Sequence, residues 1–200
     1  MSSEARRSVM ERMTGQKIVC PWWLCYTFDN PLRRLVHPAD RVLGPYVRPG
    51  DRVIDIGPGM GHFTLPLAER VGPAGRVTAI DIQAKMLSAL MARARKRGVP
   101  DVIRPHLATT ESLGRHEPAD FILAFWMLHE VPDPAAFLSE IRALLKPTGV
   151  FLLVEPKVHV PRSNFLNTLR TARDGGWIIQ EEPRIRMSHS ALLVLGESGR

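Results

Sequence analysis

The stretch Arg52-Val53-Ile54-Asp55-Ile56-Gly57-Pro58-Gly59-Met60-Gly61 is an apolar run that contains one acid and leads into three glycines at every second position. The segment after the last glycine predicts a helix. Glycines are needed where a backbone turns sharply and approaches a ligand, and the first turn of a helix presents unpaired N–H groups. This order of features predicts a strand, a turn and a helix that together bind a ligand.

A second apolar run, Arg76-Val77-Thr78-Ala79-Ile80-Asp81, also ends in an acid. Its distance from the first strand, about 20 residues, is that expected of a carboxylate that binds the two hydroxyls of a ribose. The glycine turn and this acid together predict a cofactor that contains a nucleoside.

The spacing of the glycines disfavours a dinucleotide cofactor. A dinucleotide fingerprint, Gly-x-Gly-x-x-Gly, would place its third small residue at position 62, but His62 stands there and the third glycine is Gly61. Asp55 lies two positions before Gly57, where its charge would repel a diphosphate. A nicotinamide-dependent dehydrogenase is therefore disfavoured.

The pattern Asp-x-Gly-x-Gly-x-Gly at 55–61 resembles that of the class I S-adenosylmethionine-dependent methyltransferases, and the small-molecule group among them in particular. The resemblance runs from roughly Arg41 to Leu195 and includes Leu-His-Glu-Val-Pro-Asp at 128–133 and Leu-Leu-Lys-Pro-Thr-Gly at 144–149. It implies an α/β fold with a doubly wound, mostly parallel, seven-stranded Rossmann-like sheet whose last strand is antiparallel. It also implies that the cofactor is S-adenosylmethionine.

Apolar runs alternate with helical patterns along most of the chain, which predicts a parallel sheet with helices on both faces. Two of the runs, 52–56 and 150–155, are almost wholly apolar, as buried central strands are. The predicted strands are residues 52–56, 76–81, 102–107, 119–125, 150–155, 177–181 and 189–195, and the predicted helices are residues 33–47, 62–70, 83–97, 134–145 and 163–172.

Residues 1–40 are predicted to form a partly mobile N-terminal cap, and residues 41–200 the methyltransferase domain. Within the cap, residues 20–29 hold four of the thirteen aromatic residues of the chain, which predicts either a lid over the cofactor cleft or packing against the sheet. Cys20 and Cys25 lie in the same segment, where they are either a site for a soft metal or metalloid or plain core residues. We favour core residues and predict no metal site.

The resemblance implies a set of cofactor-binding residues at the ends of the first four strands. The glycine loop would contact the methionine end of the cofactor, Asp55 would orient its ammonium and Asp81 would bind its ribose. The family's usual acid after the third strand is replaced by Thr109, whose hydroxyl can accept the same hydrogen bond, and Glu111 lies nearby. The implied cofactor-binding residues are Asp55, Gly57, Pro58, Gly59, Gly61, Asp81, Ile82, Met86, Thr109, Thr110, Ala124 and Phe125.

His129 and Glu130 follow the fourth strand, where reactive residues of the family often lie. Either side chain is a candidate general base, and histidine is the side chain that ordinarily titrates near neutrality. The alternative is that the surrounding Leu-His-Glu-Val-Pro stretch serves the structure of the loop. His62 and His159 are interpreted as surface or packing residues.

The formal net charge of +7 is unevenly distributed. Residues 53–155 are neutral, whereas residues 1–52 and 156–200 carry excesses of +4 and +3. Such basic segments would attract an acidic acceptor or a nucleic acid, although an abundance of arginine alone gives the same pattern. The opening residues lack the apolar stretch of a signal peptide and no run reaches the length of a membrane helix, so a cytoplasmic location without membrane contact is predicted.

The predicted function is methyl transfer to a small acceptor of acidic or aromatic character. Methyltransferases of base amines usually carry Asn/Asp-Pro-Pro-aromatic after the fourth strand, where this chain has Phe-Trp-Met-Leu at 125–128, so such acceptors are disfavoured. Two alternatives stay open. One is an RNA or protein methyltransferase that uses the basic ends, and the other is a cofactor-binding regulator without catalytic activity.

Overall fold

The computed structural model describes residues 35–196, which form a three-layer α/β structure around one seven-stranded sheet. The helices are α1 (Ala39–Leu43), α2 (Thr64–Val71), α3 (Ala84–Arg97), α4 (Pro134–Leu144) and α5 (Arg162–Asp174). The strands are β1 (Arg52–Ile56), β2 (Arg76–Asp81), β3 (Ile103–Leu107), β4 (Ala119–Phe125), β5 (Leu145–Pro156), β6 (Trp177–Glu181) and β7 (Ser188–Leu195). A short 3-10 helix, Leu128–Glu130, follows β4.

The strands lie in the order β3-β2-β1-β4-β5-β7-β6. Neighbouring strands from β3 to β5 are parallel, and β7 is antiparallel to both β5 and β6. The predicted doubly wound sheet with one antiparallel last strand is therefore confirmed. The strand order reverses between β1 and β4, and ligands of open α/β sheets bind at such a point, beyond the carboxyl ends of the strands.

Alternate residues of the central strands enter two separate cores. Ile54 packs in the core on the side of α4 and α5, whereas its neighbour Val53 packs in the core on the side of α2 and α3. Phe121 and Leu152 join the second core and are both fully buried. Because helices cover both faces, the strands need apolar side chains on both faces, which explains the nearly continuous apolar runs.

Two predicted elements differ from the structure by more than two residues at an end. The helix predicted over residues 33–47 includes α1, which begins only after Pro38 and ends at Leu43. Proline lacks an N–H group and disfavours helical backbone in the residue before it, so the helix is interrupted there. The fifth strand begins at Leu145 instead of residue 150, because the stretch predicted as a turn continues the strand through a bulge opposite β4.

Several predictions concern residues outside the described range. Most of the predicted N-terminal cap lies there, as do Cys20 and Cys25, and these predictions stay predictions. Among residues 35–196, no helix is long and apolar enough to cross a membrane. In the same range, no group of three or more His, Cys, Asp or Glu side chains is placed to hold a metal ion.

Candidate active site

The carboxyl ends of β1, β2 and β4 meet at one edge of the sheet, and the predicted site residues lie along that edge. The glycine loop 57–61 follows β1, Asp81 ends β2 and Phe125 ends β4. The loop is tied to the next strand, since the N–H of Gly57 donates to the carbonyl of Ile80 over 2.9 Å.

The three loop glycines all have left-handed backbone conformations, with φ of 70° at Gly57, 53° at Gly59 and 93° at Gly61. Their surroundings differ. A Cβ at Gly61 would collide with the side chain of Leu90, so this glycine lets α3 pack closely against the loop. A Cβ at Gly59 would meet no atom within 4 Å. Gly59 is thus the point where the loop faces open space.

Asp55 lies in the core behind the loop. It is 2% exposed, and one carboxylate oxygen accepts a hydrogen bond from the hydroxyl of Thr64 over 2.6 Å. Thr64 is the first residue of α2 and is itself buried. The acid therefore joins the end of β1 to the start of the helix that follows the loop.

Asp81 is the second acid of the site and is mostly enclosed. Burial raises its pKa to about 6, although hydrogen bonds from the backbone N–H groups of Gln83, Gly59 and Ile82 act in the opposite direction. The nearby charge of Glu130 raises the pKa further. The bond from Gly59 shows that this carboxylate lies directly beside the open part of the glycine loop.

The residues predicted around an adenine lie at the end of β2 and in the turn after β3. Ile82 is 39% exposed and Met86 is 2% exposed, so only Ile82 presents much surface at this edge. The hydroxyl of Thr109 accepts from the N–H groups of Glu111 and Ser112 at 3.3 and 3.2 Å and holds the turn after β3. The exposed Thr110 donates its hydroxyl to the carboxylate of Glu111.

Aromatic rings surround the end of β4. Ala124 and Phe125 are both buried, and the ring of Phe125 lies 4.5 Å from that of Phe63 and 5.5 Å from that of Trp126. Trp126 has a φ of 62°, which non-glycine residues rarely adopt outside functional sites and tight turns. His37 lies between both rings at 5.1 and 5.0 Å. The sequence did not single out Phe63, Trp126 or His37 for this site.

His129 is held by a buried acid of the neighbouring strand. Glu155, 3% exposed near the end of β5, accepts from the N–H groups of Leu128 and His129 at 3.1 Å each. Its Oε2 also lies 2.9 Å from Nδ1 of His129. A carboxylate accepts hydrogen bonds, so Nδ1–H of His129 is the donor in this contact and Nε2 is the ring nitrogen that points away from Glu155.

The other predicted residues of this region lie apart from that pair. The charge of Glu130 raises the pKa of Asp81, so Glu130 lies toward the β2 side of the cleft. His129 faces β5 instead. His62 contacts the carbonyl of His37 and the ring of Phe63. The exposed His159 stacks on His129, with ring centroids 6.2 Å apart. Sequence reasoning missed Glu155, because a long-range pair between the 3-10 helix after β4 and the end of β5 leaves no spacing signal along the chain.

The doubly wound sheet and the residues at the carboxyl ends of its strands are those of an α/β domain that binds a nucleoside-containing cofactor where the strand order reverses, between β1 and β4. The family described as a methyltransferase domain matches residues 48–183. The chain therefore belongs to the methyltransferase domain family, and it is a class I domain that uses S-adenosylmethionine.

Two kinds of methyltransferase match about half of the chain. A ubiquinone biosynthesis O-methyltransferase of Paramagnetospirillum magneticum is 39% identical over 103 residues, which is 52% of this chain and 39% of that protein. A demethylmenaquinone methyltransferase of Symbiobacterium thermophilum is 32% identical over 111 residues, covering 55% of this chain and 44% of the relative. The chain thus spans less than half the length of these curated relatives.

Among solved structures, a S-adenosylmethionine-dependent methyltransferase from Aquifex aeolicus superposes with a TM-score of 0.78 at 21% identity. The match covers 88% of this chain and 98% of that one. At this level of identity the likeness concerns the fold.

Proposed function

We propose that this protein transfers a methyl group from S-adenosylmethionine to a small aromatic acceptor, at the cleft beyond the ends of β1, β2 and β4. The observation that carries the proposal is the pairing of the open face of Gly59 with the enclosed carboxylate of Asp81. The loop offers backbone without a side chain, and the acid beside it is suited to two adjacent hydroxyls. This pairing fits a ribose with a chain attached to it.

The remaining predicted residues would complete the cofactor site. Asp81 borders the cleft and would favour a cationic ligand by its charge, and the buried Asp55 behind the loop would act in the same direction from further away. Ile82 would cover one face of the adenine with its exposed side chain. Ala124 and Phe125 would flank the sulfonium, next to the loop carbonyls. When bound, S-adenosylmethionine supplies a methyl group already activated by a sulfonium, so the protein needs no nucleophile of its own.

His129 is the candidate general base. With Nδ1–H donating a hydrogen bond to Glu155, the Nε2 atom would take the proton from an acceptor hydroxyl as it attacks. The buried carboxylate would then stabilise the charged imidazole that results. Glu130 lies on the ribose side of the cleft and is the less suitable base. Removal of the proton makes the acceptor oxygen a stronger nucleophile, and the rest of the rate enhancement comes from positioning the two reactants.

The acceptor we propose is a small ring with a hydroxyl group. Phe63, Phe125 and Trp126 form an aromatic wall beside the β4 end. Phe63 and Phe125 are buried, so the partly exposed Trp126 would present the surface for a flat ring. The relatives named for ubiquinone biosynthesis and demethylmenaquinone act, by those names, in quinone chemistry, and they support an acceptor of quinone type. The cytoplasmic location predicted from the sequence stays a prediction.

The direct test is transfer of a labelled methyl group from S-adenosylmethionine to a panel of catechols and hydroquinones. We expect product with at least one catechol, and loss of most of the activity in His129→Asn with cofactor affinity unchanged. Absence of any cofactor binding by calorimetry would overturn the proposal.

The two open alternatives have their own signatures. Cofactor binding without turnover on any acceptor, including RNA and protein, would favour a regulator. Turnover on RNA, with affinity that falls steeply as salt rises, would favour an RNA methyltransferase.

A further inference from the structure

A groove lies at the carboxyl end of β5, beside the proposed acceptor site. Its walls are the β6–β7 loop, residues 182–187, together with Lys157, which follows β5, and Arg162, the first residue of α5. The groove is open to solvent and has a volume of about 450 Å³, room enough for part of a small molecule.

Contacts tie the groove to the aromatic wall of the site. The indole N–H of Trp126 donates to the hydroxyl of Ser188 over 2.9 Å, and Ser188 lines the groove. The Nε2 atom of His37 lies 2.8 Å from the carbonyl of Arg186 in the β6–β7 loop. His189, which also lines the groove, is the β7 residue paired with Glu155 of β5. Glu155 in turn binds His129.

The distance between groove and β4 follows from the strand order. Only β5 lies between β4 and β7, and neighbouring strands are about 4.8 Å apart, so the two ends are separated by roughly 10 Å. A molecule of one ring and a short side chain spans such a distance.

The groove is strongly basic. Among residues 35–196, four cations line it, Lys157, Arg162, Arg184 and Arg186, against one acid, Glu182. Glu182 pairs with Arg162 at 2.9 Å, and the other three cations form no ion pair with another residue of 35–196. The pKa of His189 is lowered by burial and by the charges of Arg162 and Lys157, which agrees with a positive potential in the groove.

We propose that this groove, which we call the basic groove, binds a carboxylate carried by the methyl acceptor while the acceptor's ring lies against Trp126. This proposal rests on the proposed function. Arg184 and Arg186 supply guanidinium groups that can hold a carboxylate by two parallel hydrogen bonds. The groove therefore selects acceptors that bear an acidic group about one ring and a short chain away from the reacting hydroxyl.

Calorimetry with two matched probes tests the basic groove. The probes are 3,4-dihydroxycinnamate and its methyl ester, titrated into the full chain in saturating S-adenosylhomocysteine. They share the catechol ring and differ in the charge at the far end. Hydrogen bonds to charged groups predict a preference of at least about tenfold for the acid.

The groove variant is R184Q with R186Q, and its matched control is R170Q with R173Q on the exposed face of α5 outside the groove. Both variants remove two positive charges, so a general electrostatic effect would appear in both. We expect the groove variant to reduce the preference for the acid to within about twofold, by the loss of those charged hydrogen bonds. The groove variant should keep its affinity for the ester and for S-adenosylhomocysteine. A merely structural effect of the substitutions would lower both affinities.

Three outcomes overturn the basic groove as a carboxylate site. The first is equal affinity for acid and ester in the unmodified chain, including no binding of either. The second is a preference that survives in the groove variant or falls equally in the control. The third is displacement of the acid by a short RNA with strong salt dependence, which would assign the groove to a phosphate backbone. Failure to bind S-adenosylhomocysteine would instead overturn the proposed function, whereas methylation of the ester without preference for the acid would leave it standing.

Discussion

At the scale of the residue, the two acids at the ends of β1 and β2 have different environments. Asp55 is closed off behind the loop and bonded to Thr64, whereas Asp81 borders the cleft and receives backbone hydrogen bonds from both sides. Burial raises the pKa of Asp81 to about 6, close enough to neutrality that its charge changes under mild conditions. Its ionised form is the one that attracts a cationic cofactor.

Cofactor affinity should therefore depend on pH through Asp81. We expect the affinity for S-adenosylmethionine to fall several-fold from pH 7 to pH 5, because the carboxylate is protonated as pH drops through about 6. Calorimetry across this range measures it. In Asp81→Asn the affinity should be lower and flat with pH, and Glu130→Gln should move the midpoint to lower pH by removing a repulsive charge. A profile that is the same in Asp81→Asn as in the unmodified chain would contradict the role of this acid.

The same raised pKa has the opposite effect on the stability of the unliganded protein. The native state holds the Asp81 proton more tightly than the unfolded chain, whose ordinary value is 3.8. Asp81 thus adds stability at pH values below about 4, and this contribution is lost as pH rises through about 6. Ionised Asp81 destabilises the folded protein, and a bound cationic ligand would offset this effect.

Glu155 and His129 should act as one unit. Glu155→Gln keeps the shape of the side chain but removes the charge that fixes the imidazole, so kcat should fall by a factor approaching the 10²–10⁴ typical of a general base, roughly as in His129→Asn. Because the two residues serve one function, the double variant should be no slower than His129→Asn alone. Steady-state kinetics measures both effects. Additive losses in the double variant, or a change confined to the KM for cofactor, would show that Glu155 serves only the loop.

At the scale of the element, the glycine loop combines two kinds of constraint. Gly61 is required by α3, whose Leu90 occupies the space of a side chain, and Gly59 borders open space. The loop is therefore a packing element at its end and a ligand-binding element in its middle. Both glycines have a positive φ, which residues with a Cβ atom tolerate poorly.

Alanine at these two positions should separate the two constraints. Gly59→Ala should destabilise the fold by only about 1–2 kcal/mol, the cost of a left-handed residue, and should weaken cofactor binding strongly. Gly61→Ala adds a clash in a packed core and should destabilise by about 2–4 kcal/mol. Chemical denaturation and calorimetry measure the two effects. If the stability loss were larger at Gly59, our assignment of the two positions would be reversed.

The strands were predictable where local composition decides the structure. Residues 52–56, 76–81 and 119–125 form strands with the predicted bounds. The first run is closed by Gly57 and the second by Asp81, whereas the third is preceded by Pro118. The early start of β5 was not predictable, since Pro147 indicates a turn and only pairing with β4 makes it a bulged strand.

The same distinction holds at the site. The glycine loop and Asp81 could be predicted, because each stands at a recognisable distance from the other along the chain. In the structure the N–H of Gly59 donates a hydrogen bond to Asp81. The pair of His129 with Glu155, the left-handed backbone of Trp126 and the basic groove all arise from contacts between distant segments. No local pattern encodes such contacts, because they depend on how the loops after β4, β5 and β6 meet.

At the scale of the whole molecule, a ligand that binds only the folded chain must raise its melting temperature. At 100 times its Kd, S-adenosylmethionine should add about 2.7 kcal/mol of stability, which corresponds to a rise in Tm of roughly 5–10 °C for a chain of this size. Differential scanning fluorimetry measures this shift. Asp81→Ala should abolish it at the same concentration, while R170Q with R173Q should retain it. A full shift in Asp81→Ala would place the ligand elsewhere.

The position of β7 between β5 and β6 has a consequence for synthesis on the ribosome. Within the described sheet β6 pairs only with β7, yet it is made first. While the nascent chain waits for residues 188–195, both β5 and β6 expose unpaired edges, and such edges promote intermolecular association. Codons that slow translation just before this strand should therefore increase the insoluble fraction, and holdase chaperones should engage the polypeptide during that interval.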